Sequence, residues 1–215
     1  MVKRRDDLLI GPYEKTKEAI EKGDKEAALK HLEETRLLYK GIHDRYGDWI
    51  NMLFTFVSKR LGEDAVKDAN EAIMDEIYDA LWAKLSEMSY EDILNLALTI
   101  HRSHFSEYHV EEDDEKTTVV ITGCGAGGRM MKDGKYDNTD RCPMMGGTTK
   151  KPYDWSLGRT QFPYYCTHIY FLNKLSEKYN VPLRIEYGRQ YDDDGNPVEE
   201  YCKYIVYKSP GYHKG

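Results

Sequence analysis

The stretch "TTVVITGCGAGGRM", residues 117–130, decides how the fold is organised. Its first half is a run of β-branched residues, which is typical of a buried strand. Four glycines then surround Cys124. Because glycine adopts positive φ angles and lets the backbone approach other groups closely, the stretch predicts a strand over 117–122 that ends in a sharp bend at Cys124.

The bend has three interpretations. Three of its glycines have the G-x-G-x-x-G spacing of a dinucleotide-binding loop, but the next residues are too polar and too few to form the helix that holds a pyrophosphate. "GCGAG" also resembles the first motif of class I methyltransferases, although Ile121 stands where that motif has an acid. The third interpretation is a bend that turns Cys124 and Arg129 toward a pocket, with a solvent loop around a buried cysteine as its alternative.

The residues before this strand predict helices, over residues 1 to about 105. Apolar residues recur mostly at three-to-four spacing over 24–61, which predicts one long helix with a bend near Gly47. A second apolar stripe runs over 66–81, and Ser89 is suited to cap the helix that follows it. Short links between these segments favour antiparallel packing.

The residues after the bend predict a mixture of irregular structure, helix and strands. Residues 123–162 are rich in glycine and charge and predict an irregular region, and "FPYYCTHIYFLNKLSEKYN", 162–180, predicts a helix. Two strands are expected over 182–188 and 201–207, joined by an Asp-Gly turn. The sequence therefore predicts an α+β fold in which a helical N-terminal half packs on a small antiparallel sheet. We expect a helical region 1–105 and an α+β region 106–215, which can form one domain.

Composition excludes several classes of function. The net charge of −7 gives little electrostatic support for binding nucleic acid. No apolar run approaches the ~18 residues that cross a bilayer, and the first residues lack the apolar core of a secretory signal. We therefore expect a cytoplasmic protein without a nucleic-acid or membrane partner. In that compartment its cysteines are expected as thiols rather than disulfides; they are Cys124, Cys142, Cys166 and Cys202.

Cysteine and histidine side chains are the candidates for chemistry. Cys166 falls in the first turn of a predicted helix, where the helix dipole favours a thiolate. His168 lies two residues further on and points in another direction if the helix is regular. His101 and His104 share one helix face, a spacing that supplies two metal ligands, although histidine near a helix C-terminus also has a purely structural role.

An acidic run, "EEDDEK" at 111–116, precedes the strand. Consecutive acids on an extended chain point to alternate faces, so they cannot all serve one site. We expect a solvated connection here. Asp113 or Glu112 is the expected exception, as a base or as a partner that orients a histidine.

The C-terminal part resembles a known group of proteins. "YCTHIYFLNKLSEKYNVPLRIEY" and "EEYCKYIVYK" place Cys166 before a helix and Cys202, followed by Tyr204, in a late strand. This arrangement is similar to the L-2-amino-thiazoline-4-carboxylic acid hydrolase-like proteins and the related 4-vinyl-reductase-type small-molecule-binding domains. The resemblance implies a compact α+β ligand-binding module with cysteines at its pocket, which binds a metal or performs hydrolysis.

These observations lead to two hypotheses about function. The first is an enzyme acting on a small polar molecule, a hydrolase or lyase. Its candidate catalytic residues are Cys166, His168, Arg129 and Asp113. Its candidate ligands for zinc or iron are His101, His104, Cys124 and Cys166. The alternative is a non-catalytic small-molecule sensor or binding module whose long helix binds a partner, with a homodimer through the N-terminal helices as the expected assembly. Nucleotide binding through the glycines is a third, minor hypothesis.

Overall fold

The structure is a computed structural model that describes residues 10–136, 147–192 and 194–209. Cys142 lies outside these ranges. The chain divides into two compact units, Met1–Tyr46 and Gly47–Gly215. The predicted division at 105 therefore falls inside the larger unit, where helices and sheet share one core.

The predicted long helix is confirmed. Helix α1 spans Pro12–Glu21 and begins with a proline in its first turn, a position where proline is favoured because its missing N–H is not needed. Helix α2 spans Lys25–Leu61, and Asp24 accepts a hydrogen bond from the Ala27 amide at 3.0 Å, as a capping residue does. Gly47 lies within this helix, and the predicted bend there stays a prediction.

The second predicted apolar stripe, over 66–81, is buried at its start, as predicted, but exposed at its end. Helix α3 spans Glu63–Ile73, a π-helical turn spans Met74–Tyr78, and helix α4 spans Asp79–Leu85. A π turn takes more residues than an α turn and so changes which face points inward. Met74 and Trp82 are therefore buried, whereas Ile77 is exposed.

Helix α5 spans Tyr90–Ser103 and is capped as predicted. The Ser89 side chain accepts a hydrogen bond from the Asp92 amide at 3.2 Å. Because its carboxyl end lies directly before the sheet, α5 positions the histidines of its last turn near the strands.

The described residues contain a four-stranded antiparallel sheet in the order β1-β2-β4-β3. The strands are β1 Glu107–Glu112, β2 Lys116–Gly123, β3 Leu183–Glu186 and β4 Cys202–Tyr207. The last three correspond to predicted strands, and the α+β class is confirmed. The first was not predicted: the acidic run supplies the end of β1 and its hairpin turn. An edge strand with mostly exposed side chains has no apolar alternation to reveal it.

Helices α5 and α7, which spans His168–Tyr179, pack against the sheet and build the main core. A 3-10 turn, Tyr164–Thr167, precedes α7. The predicted irregular region contains a short helix, α6, at Gly127–Lys132 and a 3-10 turn at Asp154–Ser156. No described helix combines the length and apolar character needed to cross a membrane. The bend after β2 is thus held between α5, α6 and the start of α7.

Candidate functional site: a cysteine cluster beside an open cleft

Three cysteines from separate elements come together. Cys124 lies in the bend after β2, Cys166 in the 3-10 turn before α7, and Cys202 at the start of β4. All three are free thiols. Cys166 belongs to the main hydrophobic core, and Cys124 and Cys202 pack against that core. Burial, and then Cys202 and Cys124, raise the pKa of Cys166. The fold therefore brings Cys124 and Cys166 together, and adds Cys202; we call these three the cysteine cluster.

The glycines of the bend are required by close packing onto this cluster. A Cβ atom at Gly127 would lie 2.7 Å from the Cys166 Sγ, and one at Gly128 would lie 2.7 Å from the Cys124 Cβ. A Cβ at Gly125 would lie 1.6 Å from the His104 carbonyl oxygen. Side chains at these positions would displace the backbone or the sulfurs, so the bend positions its cysteine by steric fit.

A buried glutamine holds the bend in place. The Gln190 Oε1 accepts a hydrogen bond from the Cys124 amide at 2.7 Å, and its Nε2 donates to the Ile121 carbonyl. Gln190 is 3% exposed. Its two hydrogen bonds satisfy backbone groups that leave the sheet where β2 ends, which is the role that buried amides commonly perform.

Cys166 and Cys202 are protonated, which overturns the expectation of a thiolate at the start of a helix. Burial, followed by the nearby Cys202 and Cys124, raises the pKa of Cys166 well above its ordinary value. Burial and then Cys124 raise the pKa of Cys202 to about 12. Cys166 lies in a 3-10 turn and its own amide donates to the Pro163 carbonyl at 2.9 Å. Desolvation therefore outweighs whatever the helix terminus contributes.

Tyrosines extend the neutral character of the cluster. The pKa of each is raised, in every case mainly by burial and additionally by one or more of the cysteines; they are Tyr136, Tyr165, Tyr187 and Tyr204. Hydroxyls and thiols that stay protonated can donate hydrogen bonds but carry no charge. The cluster is suited to polar, uncharged contacts.

His101 is buried beside the cluster. Burial, with a smaller contribution from His104, lowers its pKa to about 4, so the ring is neutral at pH 7. The ring meets Tyr204 edge-on at 4.3 Å between centroids. Among the described residues its Nε2 has no hydrogen-bond partner. A buried nitrogen in this condition is costly and is a candidate for a role in binding.

His168 has a defined tautomer. Its Nδ1 lies 2.7 Å from the Tyr165 carbonyl oxygen, which can only accept, so Nδ1 carries the proton. Burial lowers the pKa of this histidine, and the bond to Tyr165 partly opposes the shift. The neutral ring therefore presents Nε2 as an acceptor, the arrangement found in histidines that act as bases or metal ligands.

Two of the predicted catalytic residues, Arg129 and Asp113, form hydrogen bonds with the backbone that stabilise local structure. The Arg129 Nη2 donates to the His104 carbonyl at 3.0 Å and to the Gly125 carbonyl, and so ties the bend to the end of α5. The Asp113 carboxylate accepts the Glu115 and Lys116 amides in the β1–β2 turn, and these bonds lower its pKa. Because strands rise ~3.3 Å per residue, Asp113 lies roughly 20 Å along the hairpin from the bend. The structure does not bring it to the cysteines.

The predicted metal ligands do not form a complete set. His101 and His104 are close enough for one to affect the pKa of the other. Within the described ranges, however, no three His, Cys, Asp or Glu side chains are grouped closely enough to hold a metal ion. Zinc or iron at these residues stays a prediction.

An open cleft of about 540 Å³ lies between α7, β3 and the turn that contains Leu157. This volume is within the ~300–1,000 Å³ typical of small-molecule sites. Asn173 of α7 joins the two elements that line the cleft. Its side chain accepts a hydrogen bond from the Ile185 N–H of β3 and donates one to the Ile185 C=O, each at 2.8 Å. The Leu157 backbone, at φ 55°, adopts the left-handed conformation, which is uncommon for leucine and recurs at functional sites.

The cleft is lined by paired charges and aromatic rings. Its cationic side chains are Arg159, Lys174 and Arg184, and its carboxylates are Glu177 and Glu186. Lys174 lies 3.2 Å from Glu177, and Arg184 lies 3.7 Å from Glu186. Arg159 pairs with Glu200 beyond the lining and also lies over the Tyr187 ring, 5.3 Å from its centroid. These are exposed ion pairs, which stabilise a fold by only ~0–1 kcal/mol each.

Tyr187 connects the cleft with the cysteine cluster. It lines the cleft, and its pKa is raised by burial and then by Cys166 and Cys202. The next residue, Gly188, donates its amide to the Cys202 Sγ at 3.2 Å, and its carbonyl accepts from the same sulfur at 3.3 Å. The segment 187–188 thus contacts both the cleft and the cysteine cluster.

Sequence reasoning missed Arg159, Tyr187 and Gln190. None belongs to a recognisable motif, and Arg159 is distant in sequence from the other two. The only local signal is the Tyr-Gly step that ends the predicted strand 182–188, since a glycine at a strand end often marks a close backbone contact.

No family model, curated protein or solved structure matches the chain. The resemblance to the amino-thiazoline carboxylic acid hydrolase-like and 4-vinyl-reductase-type proteins therefore stays a prediction.

Proposed function

We propose that this chain binds a small anionic or zwitterionic molecule in the cleft between α7 and β3. The observation that carries the proposal is a cleft of small-molecule size whose cations stand beside aromatic rings and whose wall, Tyr187, reaches the cysteine cluster. Planar guanidinium groups bind carboxylates through two parallel hydrogen bonds. Arg159 and Arg184 are suited to this contact.

The ion pairs of the lining favour a carboxylate ligand. Lys174 and Glu177 expose 56% and 52% of their side chains, so their pairing is weak and an incoming carboxylate can replace the glutamate. The released glutamate then becomes an acceptor for an ammonium group. The ring of Tyr170, on the same helix, offers a face for the body of the ligand.

Calorimetric titration tests this proposal. The compounds to titrate are aromatic carboxylates, aromatic amino acids and aliphatic dicarboxylates. We expect at least one class to bind, and Lys174→Met to weaken its binding at least about 10-fold, since a hydrogen bond to a charged group contributes ~1.5–3 kcal/mol.

The matched control is Lys178→Met. Lys178 lies on the same helix and also pairs with an acid, Asp79 at 2.6 Å, but does not line the cleft. Absence of binding across the three classes would refute the proposal, and so would an equal loss in the two lysine variants.

A second candidate function is a hydrolase or lyase acting on a small polar molecule. The observation that favours it is His168, whose anchored Nδ1 leaves Nε2 ready to accept a proton. In this case His168→Gln abolishes turnover of any compound that binds, while affinity is retained. Elemental analysis of the purified protein tests whether zinc or iron takes part. A cytoplasmic location is part of both candidates, and the three free thiols support it.

A further inference from the structure

The two ends of the cleft between α7 and β3 differ in chemistry. Asn173 of α7 bonds Ile185 of β3, which lies only a short distance further along the chain, so the chain reverses and the two elements run in opposite directions. Tyr170 and Tyr187 therefore lie at one end, which we call the aromatic end, and Glu177 lies toward the other. Tyr170 and Glu177 are two helical turns apart, a distance of roughly 10 Å.

The pair formed by Lys174 and Glu177 matches the head group of an α-amino acid. Its Nζ and Oε2 atoms are 3.2 Å apart. With standard bond lengths and angles, the ammonium nitrogen of an α-amino acid lies roughly 3 Å from its carboxylate oxygens. One head group can therefore place its carboxylate on Lys174 and its ammonium on Glu177 at the same time, whereas a ligand with a single charge satisfies only one member of the pair.

The side chain of such a ligand is directed to the aromatic end. The Lys174 ammonium lies 5.7 Å from the centroid of the Tyr170 ring, and the Arg159 guanidinium lies 5.3 Å from that of Tyr187. Lys174 thus stands between Tyr170 and Glu177. A side chain that leaves the head group away from Glu177 meets the two rings, which favour an aromatic body, and then Arg159.

Arg159 is held through both its backbone and its side chain. The hydroxyls of Thr149 and Ser156, two buried residues, donate to its carbonyl oxygen at 3.1 and 2.7 Å. Its Nη2 donates to Glu200, which lies outside the cleft lining, and a guanidinium has further N–H donors for a second acceptor. A group that is fixed before binding loses less conformational entropy when the ligand arrives.

The charges of the lining favour a second anionic group on the ligand. The lining contains three cationic side chains and two carboxylates. Lys174 pairs with Glu177 and Arg184 with Glu186, both within the lining. Arg159 is the cation of this set whose described acidic partner lies outside it. Because a zwitterionic head group is neutral, its binding leaves this excess of positive charge in place.

We propose that the cleft binds an α-amino acid whose side chain ends in a second carboxylate. The head group binds the Lys174–Glu177 pair, the side chain packs along Tyr170 and Tyr187, and the second carboxylate binds Arg159 through the planar contact that guanidinium groups make. This assignment names the ligand class within the proposed function and rests on that function.

Calorimetry with two matched amino acids tests the assignment. The first is para-carboxyphenylalanine, which has the second carboxylate, and the other is para-carbamoylphenylalanine, which has a neutral amide of the same shape in its place. We expect the carboxylate to bind the wild-type chain about 10-fold more tightly, because hydrogen bonds between ionised groups are stronger than those to a neutral acceptor. This comparison does not depend on the folding of any variant.

Three variants separate the two contacts. Arg159→Met should remove the preference for the second carboxylate and leave the affinity for the neutral amide nearly unchanged. Lys174→Met should weaken both ligands by a similar factor, because it acts on the head group that they share. Lys178→Met is the control outside the cleft and should change neither affinity. Thermal denaturation checks that each variant is folded.

Failure of this assignment differs from failure of the proposed function. Equal affinities of the two amino acids, or an equal loss of both in Arg159→Met, would show that Arg159 does not bind the second carboxylate, although the cleft binds ligands. Binding of aromatic carboxylates without binding of either amino acid would overturn the head-group contact. Absence of binding by all of these compounds would overturn the proposed function, and the assignment with it.

Discussion

The cysteine cluster and the cleft share Tyr187, yet their electrostatics are opposite. The cluster is buried and all its titratable groups with shifted pKa values are held neutral. The cleft is open, and its charged side chains are paired but exposed. The residue types that suggest chemistry in a sequence are here placed where they do not ionise, while ordinary surface cations line the space that a ligand can enter. If this contrast is correct, changes in the cluster affect folding and changes in the cleft affect binding.

The largest expected effect is that of Gly125→Ala. The new Cβ would lie 1.6 Å from the His104 carbonyl, which is backbone and cannot rotate away. We expect a loss of roughly 3 kcal/mol or more in the free energy of unfolding, measured with urea. Gly41→Ala is the control, because a Cβ there meets nothing within 4 Å and alanine favours a helix by ~0.5–1 kcal/mol. Equal stability of the two variants would mean that the bend is not sterically fixed.

Acid sensitivity measures how strongly the interior excludes charge. The pKa of His101 is lowered from 6.5 to about 4, so the unfolded chain binds the proton more readily than the folded one as pH falls below 6.5. This stabilisation is present at pH 7 and is lost toward pH 4, amounting to roughly 2 kcal/mol by pH 5. Urea titrations at pH 7 and pH 5 should show the loss, and His101→Leu should reduce it, leaving the contribution of His168, whose pKa burial also lowers. An unchanged difference in that variant would contradict the assignment.

Alkaline conditions test the thiols in the other direction. The pKa of Cys202 is raised from 9.0 to about 12, so the unfolded chain gives up its proton first. Stability is therefore complete below pH 9 and is lost as pH rises toward 12, at about 1.4 kcal/mol per pH unit for this group once the unfolded thiol has ionised. Unfolding measured at pH 8 and pH 10 should differ by about 1.4 kcal/mol more in the wild type than in Cys202→Ala. A rise in stability over this range would refute the raised pKa.

The smallest effect is expected in the cleft. Arg184→Met removes an ion pair whose atoms are 3.7 Å apart and whose side chains are 53% and 42% exposed. The free energy of unfolding should change by less than about 0.5 kcal/mol, because exposed pairs contribute little. Thermal denaturation checks this. A loss as large as that of the cluster variants would remove the proposed distinction between a structural cluster and a binding cleft.

Local sequence patterns predicted individual helices and strands better than they predicted which faces of those elements are buried. The helix at Lys25–Leu61, the cap at Ser89 and the strands beside Gly123 and Cys202 follow from periodicity and capping chemistry, which act over a few residues. Strand β1 was missed because its exposed side chains leave no period to detect. The prediction of which helix face is buried after Asn70 was wrong, because no sequence pattern indicates the π turn.

The site was predictable in part. The cysteines and the glycine bend were identified, because glycines directly after a strand indicate a sharp bend and the thiol of cysteine is a chemically distinctive group. The predicted thiolate at Cys166 was wrong, because the burial of this residue depends on segments far away in sequence. The cleft could not be found at all: Arg159, Lys174 and Arg184 come from three elements and are residue types that cover any surface.

The double hydrogen bond between Cys202 and Gly188 has a mechanical consequence. Any reagent that adds a group to this sulfur removes its proton and so breaks the contact to the Gly188 carbonyl, and a Cβ at Gly188 would already collide with the Tyr201 backbone, so the segment has little room for the added group. We expect the strain to be relieved at the adjacent Tyr187, which forms the wall of the cleft. Chemical modification of a thiol that no ligand touches would then alter what the cleft accepts.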